Sequence, residues 1–269
     1  AIEVEAVVVL PDDTVRVTRQ WRGTTIEQDL RLVEEGLEIA TSIDWQATDT
    51  LLRLECDLDL LAPSVSAETM YGFVQRPTTS NTSWEQAKFE TCAHRWIHVA
   101  EPGYGMTVLT PTTYGHQITR QQRDGGGIYT RIGCSLLRSA AFPDPRRDAG
   151  RHEFVHVIAP GTGIADAVRM ADAQSFGVRA VLGAGPVEPA VEIIGDSVAL
   201  EALKLAEDGS GDVIVRVRET CGTASHASVQ LCVPASATEC DLVERALGAI
   251  DAADMRLRPF EVKTLRFRR

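Results

Sequence analysis

Several features that would define a class of function are absent from the sequence. No apolar run approaches the ~20 residues needed to cross a bilayer. Aromatic residues make up only 6%, and 27 basic residues face 38 acidic ones, which gives a formal net charge of −11. Such a surface repels phosphate backbones, so we expect neither nucleic acid nor a membrane among the partners.

The cysteines form no recognisable framework. The sequence has no C-x-x-C pair, and its six cysteines are scattered along the chain, at Cys56, Cys92, Cys134, Cys221, Cys232 and Cys240. We therefore expect reduced thiols, most of them in the core of a cytoplasmic protein. The first segment, "AIEVEAVVVL", lacks a basic start and is interpreted as a strand rather than a signal peptide.

Motifs of common enzyme classes are also missing. No G-x-S-x-G nucleophile elbow occurs, and "DGGG" at 124–127 lacks the lysine and helix of a phosphate-binding loop. The stretch "RHEFVH" does contain an H-E-x-x-H pattern, with His152, Glu153 and His156. Zinc binding needs this pattern on a helix, but the segment is rich in Val, Ile and Phe and has helix breakers on both sides.

A strand at 152–156 removes the zinc mechanism. Residues four apart in a strand are separated by roughly 13 Å, whereas two ligands of one zinc lie within a few ångströms of each other. We therefore interpret the pattern as a chance occurrence and expect no metal site in this chain.

Strand signals dominate the sequence. Segments with period-two alternation and turn residues every ~10 positions predict an all-β fold, a large antiparallel β-sandwich followed by a smaller β-sandwich unit. One short helix is predicted near 163–175, where apolar residues recur at helical spacing and Gly177 follows. The linker-like "GAGPVEPA" predicts a boundary between domains 1–185 and 186–269.

The most site-like stretch is "CAHRWIHVAEPGYG". Its His94, Arg95 and Trp96 could stack on and hydrogen-bond a sugar. Alternatively, the stretch is a buried strand with a tryptophan in the core and an arginine paired with an acidic loop. Residue types alone leave both interpretations open.

Three longer motifs stand out in the sequence. The first is "QRPTTSNTSWEQAKFETCAHRWIHVAEPGYGMTVLTPTTYGH" at 75–116. The other two are "LLRSAAFPDPRRDAGRHEF" and "VALEALKLAEDGSGDVIVRVRE". These motifs resemble the C-terminal half of glycoside hydrolase family 38 α-mannosidases, nearest the bacterial and cytosolic or vacuolar branch. The resemblance extends over nearly the whole chain and implies the β-sandwich portion of such an enzyme.

The resemblance implies a parent enzyme that hydrolyses terminal α-linked mannose with retention, using a divalent metal, with zinc expected. The nucleophile, the general acid and the metal ligands of the family lie in an N-terminal catalytic domain. We therefore expect no cofactor in this chain and no activity from it alone. Its expected partners are that catalytic domain of the same polypeptide and mannose-containing oligosaccharides, and a homo-oligomer is possible.

The resemblance also suggests which residues border the substrate cleft. By position in the matched motifs these are His94, Arg95, Trp96 and Arg138, with Asp144 as an orienting carboxylate. The pattern departs from the family at His98, where an acidic residue is expected, and this leaves the charge of the rim open. The alternative function is a free-standing carbohydrate-binding or scaffold β-sandwich module.

Overall fold

The structure is a computed structural model that describes residues 2–177, 180–183, 185, 188–233 and 235–268. The chain divides into two compact units. The first unit comprises residues 1–69 and 73–175, and the second comprises 70–72 and 176–269. The predicted boundary falls at residue 186, which lies outside the described residues, so that boundary remains a prediction.

The first unit is built almost entirely from strands. In chain order they are β1 (Val4–Val9), β2 (Val15–Trp21), β3 (Thr24–Val33), β4 (Gly36–Trp45), β5 (Leu52–Leu58), β6 (Ser64–Thr69), β7 (Gly72–Pro77), β8 (Thr91–Cys92), β9 (Trp96–Glu101), β10 (Tyr104–Leu109), β11 (Gly115–Gln122), β12 (Ile128–Leu137) and β13 (Gly150–Pro160). Among the described residues, nine of these strands form one sheet in the order β1-β2-β3-β4-β13-β10-β9-β6-β7. A second sheet has the order β5-β12-β11-β8.

The two sheets of the first unit bury a common apolar core. Side chains of β5 and β12, such as Leu58 and Ile132, cluster with Ile97 and Val108 of β9 and β10. A second cluster surrounds Trp45, which is fully buried and stacks on Trp21 with ring centroids 5.9 Å apart. Burial of alternate residues on facing sheets is the packing that the period-two pattern requires.

Two helices lie within the described part of the chain. Helix α2 (Ile164–Phe176) matches the helix predicted near 163–175. Helix α1 (Ser83–Ala87) was not predicted, because five residues are too few to show helical periodicity. It begins with a capping box in which the Thr82 hydroxyl accepts from the Glu85 backbone N–H and the Glu85 carboxylate accepts from the Thr82 N–H. Neither helix is long and apolar enough to span a membrane.

The second unit holds the remaining strands. They are β14 (Val191–Ile194), β15 (Val198–Leu205), β16 (Val213–Glu219), β17 (Ser225–Leu231), β18 (Ala237–Cys240), β19 (Ala246–Ala249), β20 (Met255–Leu257) and β21 (Val262–Phe267). In the described residues they form the sheets β14-β17-β20 and β15-β16-β21-β18-β19. Val215, Leu257 and Leu265 belong to the apolar core of this unit.

The all-β fold predicted from the sequence is confirmed, and the segment that contains the H-E-x-x-H pattern is strand β13. The expectation that most cysteines are core residues is only partly correct. Cys56, Cys134 and Cys240 are buried, whereas Cys92 and Cys232 are exposed. In the described part of the chain none of the six cysteines forms a disulfide bond. Burial raises the pKa of the Cys56 thiol to about 12, which makes it a poor nucleophile.

Candidate functional site

Arg95 lies immediately before β9 and forms ion pairs with two carboxylates. Its Nη2 donates to Glu68 Oε1 over 2.6 Å, its Nε donates to Glu68 Oε2 over 3.0 Å, and its Nη1 donates to Asp172 Oδ1 over 2.6 Å. The Glu68 carboxylate is almost fully buried and also accepts from the Arg95 backbone N–H. The guanidinium therefore links β6 to helix α2, so its acidic partners lie on a strand and a helix rather than on the acidic loop of the alternative interpretation.

Trp96 is a core residue of the first unit. Only 1% of its surface is exposed, and its ring contacts that of Phe73 with centroids 6.1 Å apart. Its Nε1 has no hydrogen-bond partner among the described residues. A buried indole cannot stack on a sugar at the surface, so in this structure Trp96 supports β9 rather than a ligand.

His94 is the exposed member of this stretch. Its ring stacks on Tyr114 with centroids 6.1 Å apart, and its Nδ1 lies 3.7 Å from Glu68 Oε2. His98, where the family pattern has an acidic residue, is buried, and its Nε2 lies 2.9 Å from the Thr162 carbonyl oxygen. Burial lowers the pKa of His98, so this residue adds no charge to a rim at neutral pH.

Arg138 borders a concave site on the solvent face of the four-stranded sheet, which we call the Arg138 cavity. Its volume is about 460 Å³. The residues that line it are Asp49, Thr50, Leu51, Arg53, Phe89, Glu90, Ser135, Leu136, Leu137, Arg138 and Ala140. None of these is His94, Arg95, Trp96 or Asp144, so the structure does not place the five predicted residues around one cavity.

A hydrogen-bonded group of charged side chains forms one wall of the Arg138 cavity. Arg53 Nη2 donates to Glu90 Oε1 over 2.8 Å, and the Ser135 hydroxyl donates to the same oxygen over 3.0 Å. The Arg53 hydrogen bond holds the pKa of Glu90 below its usual range. Gly133 leaves room for the aliphatic part of the Arg53 side chain, because a Cβ at position 133 would lie 3.3 Å from Arg53 Cδ. The wall is therefore charged and fixed in position.

The loop after Arg138 is anchored through its backbone. Asp148 Oδ2 accepts from the N–H groups of Arg138 and Ser139 over 3.1 and 2.6 Å. Phe142, which precedes the cis-Pro143 bond, is 86% exposed. Asp144 is exposed and its Oδ1 accepts from the Arg146 N–H over 2.9 Å. Asp144 thus caps a turn in this structure, and an orienting role toward a substrate remains a prediction.

The residues of the H-E-x-x-H pattern have separate neighbours. His152 Nε2 lies 2.8 Å from the Asp148 carbonyl oxygen, whereas His156 is fully buried with Nε2 3.4 Å from the Thr113 hydroxyl. Among the described residues, no group of three or more His, Cys, Asp or Glu side chains could hold a metal ion. The described residues thus offer no ligand set for a divalent metal, which the resemblance implies for the catalytic domain rather than for this chain.

A second and larger concavity was not predicted from the sequence. We call it the α1 groove, and its volume is about 840 Å³. It is lined by Arg76, Pro77, Thr78, Thr79, Ser80, Asn81, Glu85, Gln86, Lys88, Phe89, Glu90, Thr91, Cys92, Gln117, Ile118, Thr119, Arg120 and Gln121. The T-x-x-E spacing of Thr82 and Glu85 was the one available signal, because it predicts the helix that forms one side.

Comparisons with known proteins agree across the chain. Residues 3–146 match the glycosyl hydrolases family 38 C-terminal domain, and residues 197–265 match the glycosyl hydrolases family 38 C-terminal beta sandwich domain. Alpha-mannosidase 2C1 of Homo sapiens is 31% identical over 241 residues, covering 84% of this chain and 22% of that protein. Alpha-mannosidase of Saccharomyces cerevisiae is 29% identical over 263 residues, covering 86% and 24%.

A solved structure shows the same fold. The α-mannosidase from Enterococcus faecalis V583 superposes with a TM-score of 0.74 at 19% identity, covering 94% of this chain and 29% of that one. The chain spans less than a quarter of the length of the curated relatives named above. With more than half of its residues matching the first of the two domains, this chain belongs to glycoside hydrolase family 38, as a C-terminal part of that family.

Proposed function

We propose that this chain is the non-catalytic C-terminal portion of a retaining α-mannosidase that removes terminal α-linked mannose from oligosaccharides. The observation that carries the proposal is the match of both units to C-terminal domains of family 38, in a chain that spans 22% of a named α-mannosidase. In this proposal a catalytic domain of the same polypeptide carries the nucleophile and the divalent metal, zinc being the expected ion.

The first unit offers surfaces that support packing against another domain. Large aromatic side chains on the family-matching segments are exposed, namely Trp84 by 79%, Tyr114 by 57% and Phe142 by 86%. Exposed aromatic side chains are typical of surfaces that are covered in a larger assembly. We propose that this region contacts the catalytic domain and helps to close the substrate cleft.

Within this proposal Arg138 is the residue best placed to face the sugar. It lines the cavity, and among the described residues no carboxylate lies within ion-pair distance of its guanidinium. A free guanidinium can donate to sugar hydroxyls or to a carboxylate of the catalytic domain. His94 remains a second candidate for contact with the sugar because it is exposed. Arg95 forms ion pairs within the chain and Trp96 is buried.

The test uses the parent enzyme with an aryl α-mannoside. We expect Arg138→Ala to lower kcat/KM by about 10-fold to 100-fold, because one charge-assisted contact to the substrate or cleft is lost. Arg151→Ala is the matched control, since Arg151 is a largely exposed arginine on β13 that pairs with Glu153. Equal kcat/KM values for the two variants would show that Arg138 does not contact the substrate or its cleft.

A free-standing carbohydrate-binding module is the second candidate, and the α1 groove favours it. The groove is large enough for more than one sugar ring and is lined by amide and hydroxyl groups. The parent reading frame separates the two candidates. An upstream catalytic domain supports the mannosidase portion, and its absence supports the module.

A further inference from the structure

The α1 groove lies on the solvent face of the four-stranded sheet, beside helix α1. Gln117, Thr119 and Gln121 project from alternate positions of β11, and Thr91 and Cys92 of β8 continue this wall. Phe89, which is 66% exposed, lines both this groove and the Arg138 cavity. The residues between β7 and β8 therefore enclose a polar concavity with one aromatic side.

The groove carries a surplus of positive charge although the whole chain has a net charge of −11. Its cations are Arg76, Lys88 and Arg120, and within the described residues none of them lies within 4.0 Å of a carboxylate. Its acids are Glu85, whose carboxylate caps helix α1, and Glu90, which is neutralised by Arg53. A surplus of two positive charges in a concave site favours an anionic ligand.

Two polar atoms in the wall of the groove have unused hydrogen-bonding capacity. Arg76 Nε and Thr91 Oγ1 are buried, and neither has a hydrogen-bond partner among the described residues. A buried donor without a partner costs free energy comparable to a lost hydrogen bond, and the cost is larger when the donor atom belongs to a charged group. Arg120, by contrast, is fixed by the Thr78 hydroxyl and the Ala62 carbonyl oxygen.

The neutral groups of the groove match the hydroxyls of a sugar. Gln117 Oε1 accepts from Arg53, which leaves its Nε2 free to donate. Gln86 Nε2 and Gln121 Nε2 donate to Ser80 O and Thr119 Oγ1, which leaves both Oε1 atoms free to accept. A sugar hydroxyl both donates and accepts, and the exposed ring of Phe89 offers an apolar face for a pyranose ring.

We propose that the α1 groove binds a sugar carrying a single anionic group, a phosphate or a carboxylate. Arg76 and Lys88 hold the anionic group, and the three glutamine amides contact the hydroxyls. Phe89 packs against the ring. The site depends only on residues of this chain, so it stands whether or not the chain belongs to an active mannosidase.

The experiment titrates the 269-residue chain by calorimetry and by amide NMR with four probes. Mannose 6-phosphate and mannuronate carry the two anionic groups, methyl α-mannoside carries none, and inorganic phosphate lacks the sugar. We expect both anionic sugars to bind at least about tenfold more tightly than methyl α-mannoside or inorganic phosphate. Whichever anionic sugar binds more tightly shows whether the site prefers a phosphate or a carboxylate.

Three variants, each of which removes one positive charge, test the roles of Arg76 and Lys88. Arg76→Gln and Lys88→Gln should each weaken binding of the anionic sugars by about tenfold, and Arg123→Gln should leave it unchanged. Arg123 is an arginine of the same unit that pairs with Asp59 and does not line the groove. Lys88 is exposed, so its variant keeps the test valid if Arg76→Gln fails to fold.

Three results would overturn the proposal. They are no binding of either anionic sugar, equal binding of inorganic phosphate, or equal losses in Lys88→Gln and Arg123→Gln. Because the readout is binding rather than turnover, any of these results leaves the proposed mannosidase function untouched.

Discussion

His116 on β11 and His156 on β13 are fully buried in the first unit. Their Nδ1 atoms have no hydrogen-bond partner among the described residues, and each Nε2 has a threonine hydroxyl at 3.4 to 3.5 Å. The pKa of each imidazole is lowered to about 4, mainly by burial, and for His156 the charge of His116 is a second and smaller cause of this shift. The Thr113 backbone and Glu90 oppose the shift in the pKa of His116 only partly.

These shifts predict acid sensitivity of the first unit. The pKa of each histidine is about 4 when folded and 6.5 when unfolded, so the unfolded chain binds protons more tightly. The stabilisation is complete above pH 6.5 and is lost as the pH falls toward 4. Between about pH 7.5 and about pH 5 we expect the free energy of unfolding to fall by roughly 2 kcal/mol for each histidine.

Urea unfolding followed by tryptophan fluorescence measures this fall. All four tryptophans, Trp21, Trp45, Trp84 and Trp96, belong to the first unit, so the signal reports that unit. His156→Gln should flatten the pH profile, whereas His94→Gln, which changes an exposed imidazole, should not. A profile that is equally steep in both variants would contradict the assignment to the buried pair.

Arg95 gives a prediction of a different kind. Removing the guanidinium leaves Glu68 buried without its cation, and breaking a buried ion pair typically costs 3–5 kcal/mol. We expect Arg95→Met to lower the free energy of unfolding by about 3 kcal/mol. Arg123→Met, at an exposed ion pair, should change it by less than about 1 kcal/mol in the same urea experiment. Similar values for the two variants would show that Arg95 is free to serve a ligand.

At the scale of elements, the β9–β10 hairpin depends on a glycine. A Cβ at Gly105 would lie 2.5 Å from the Thr162 carbonyl oxygen and 2.6 Å from His98 Nε2. Both contacts are too short, so Gly105→Ala must displace either the hairpin or the chain that leads into α2. We expect a loss of about 2 kcal/mol in unfolding free energy.

Gly125→Ala is the control for that variant. Gly125 belongs to the hairpin tip between β11 and β12, where an added Cβ meets no atom within 4 Å and the backbone φ is not positive. The unfolding free energy of Gly125→Ala should stay within about 0.5 kcal/mol of that of the unsubstituted chain. An unchanged Gly105→Ala would mean that the close approach at Thr162 is not maintained in solution.

Most elements could be predicted from the sequence because alternation and turn residues are local signals. Strand β13 is one example. Its Val, Ile and Phe residues lie between two sets of helix-breaking residues and favour a strand, although the H-E-x-x-H pattern is typical of a zinc-binding helix. Helix α2 is another, because its apolar spacing and Gly177 define its length. Helix α1 was not predicted because five residues show too little helical periodicity, although its capping box can be recognised in the sequence.

The site was predicted less well because it depends on which way side chains point. Arg95 and Trp96 lie in a motif that suggests a ligand, but their neighbours in three dimensions are Glu68, Asp172 and Phe73. Those pairings join residues up to 77 positions apart, and no local pattern reveals them. The α1 groove was missed for the same reason, since β7, α1, β8 and β11 meet only in the fold.

At the scale of the whole molecule, the two units match two consecutive C-terminal domains of one enzyme family. Neither unit has, in its described residues, a cluster of side chains that could hold a metal. The chain spans less than a quarter of the relatives it matches, so the proposed activity belongs to a longer polypeptide. In the function proposed above, this portion shapes one side of the substrate cleft.

The most direct test of this account measures hydrolysis of an aryl α-mannoside by three proteins, namely the whole parent enzyme, the parent without this portion, and this chain alone. We expect turnover by the whole enzyme, a loss of at least about 100-fold in that turnover when this portion is removed, and no turnover by this chain alone. Turnover that copurifies with the isolated chain, or full activity in the enzyme that lacks it, would contradict the account.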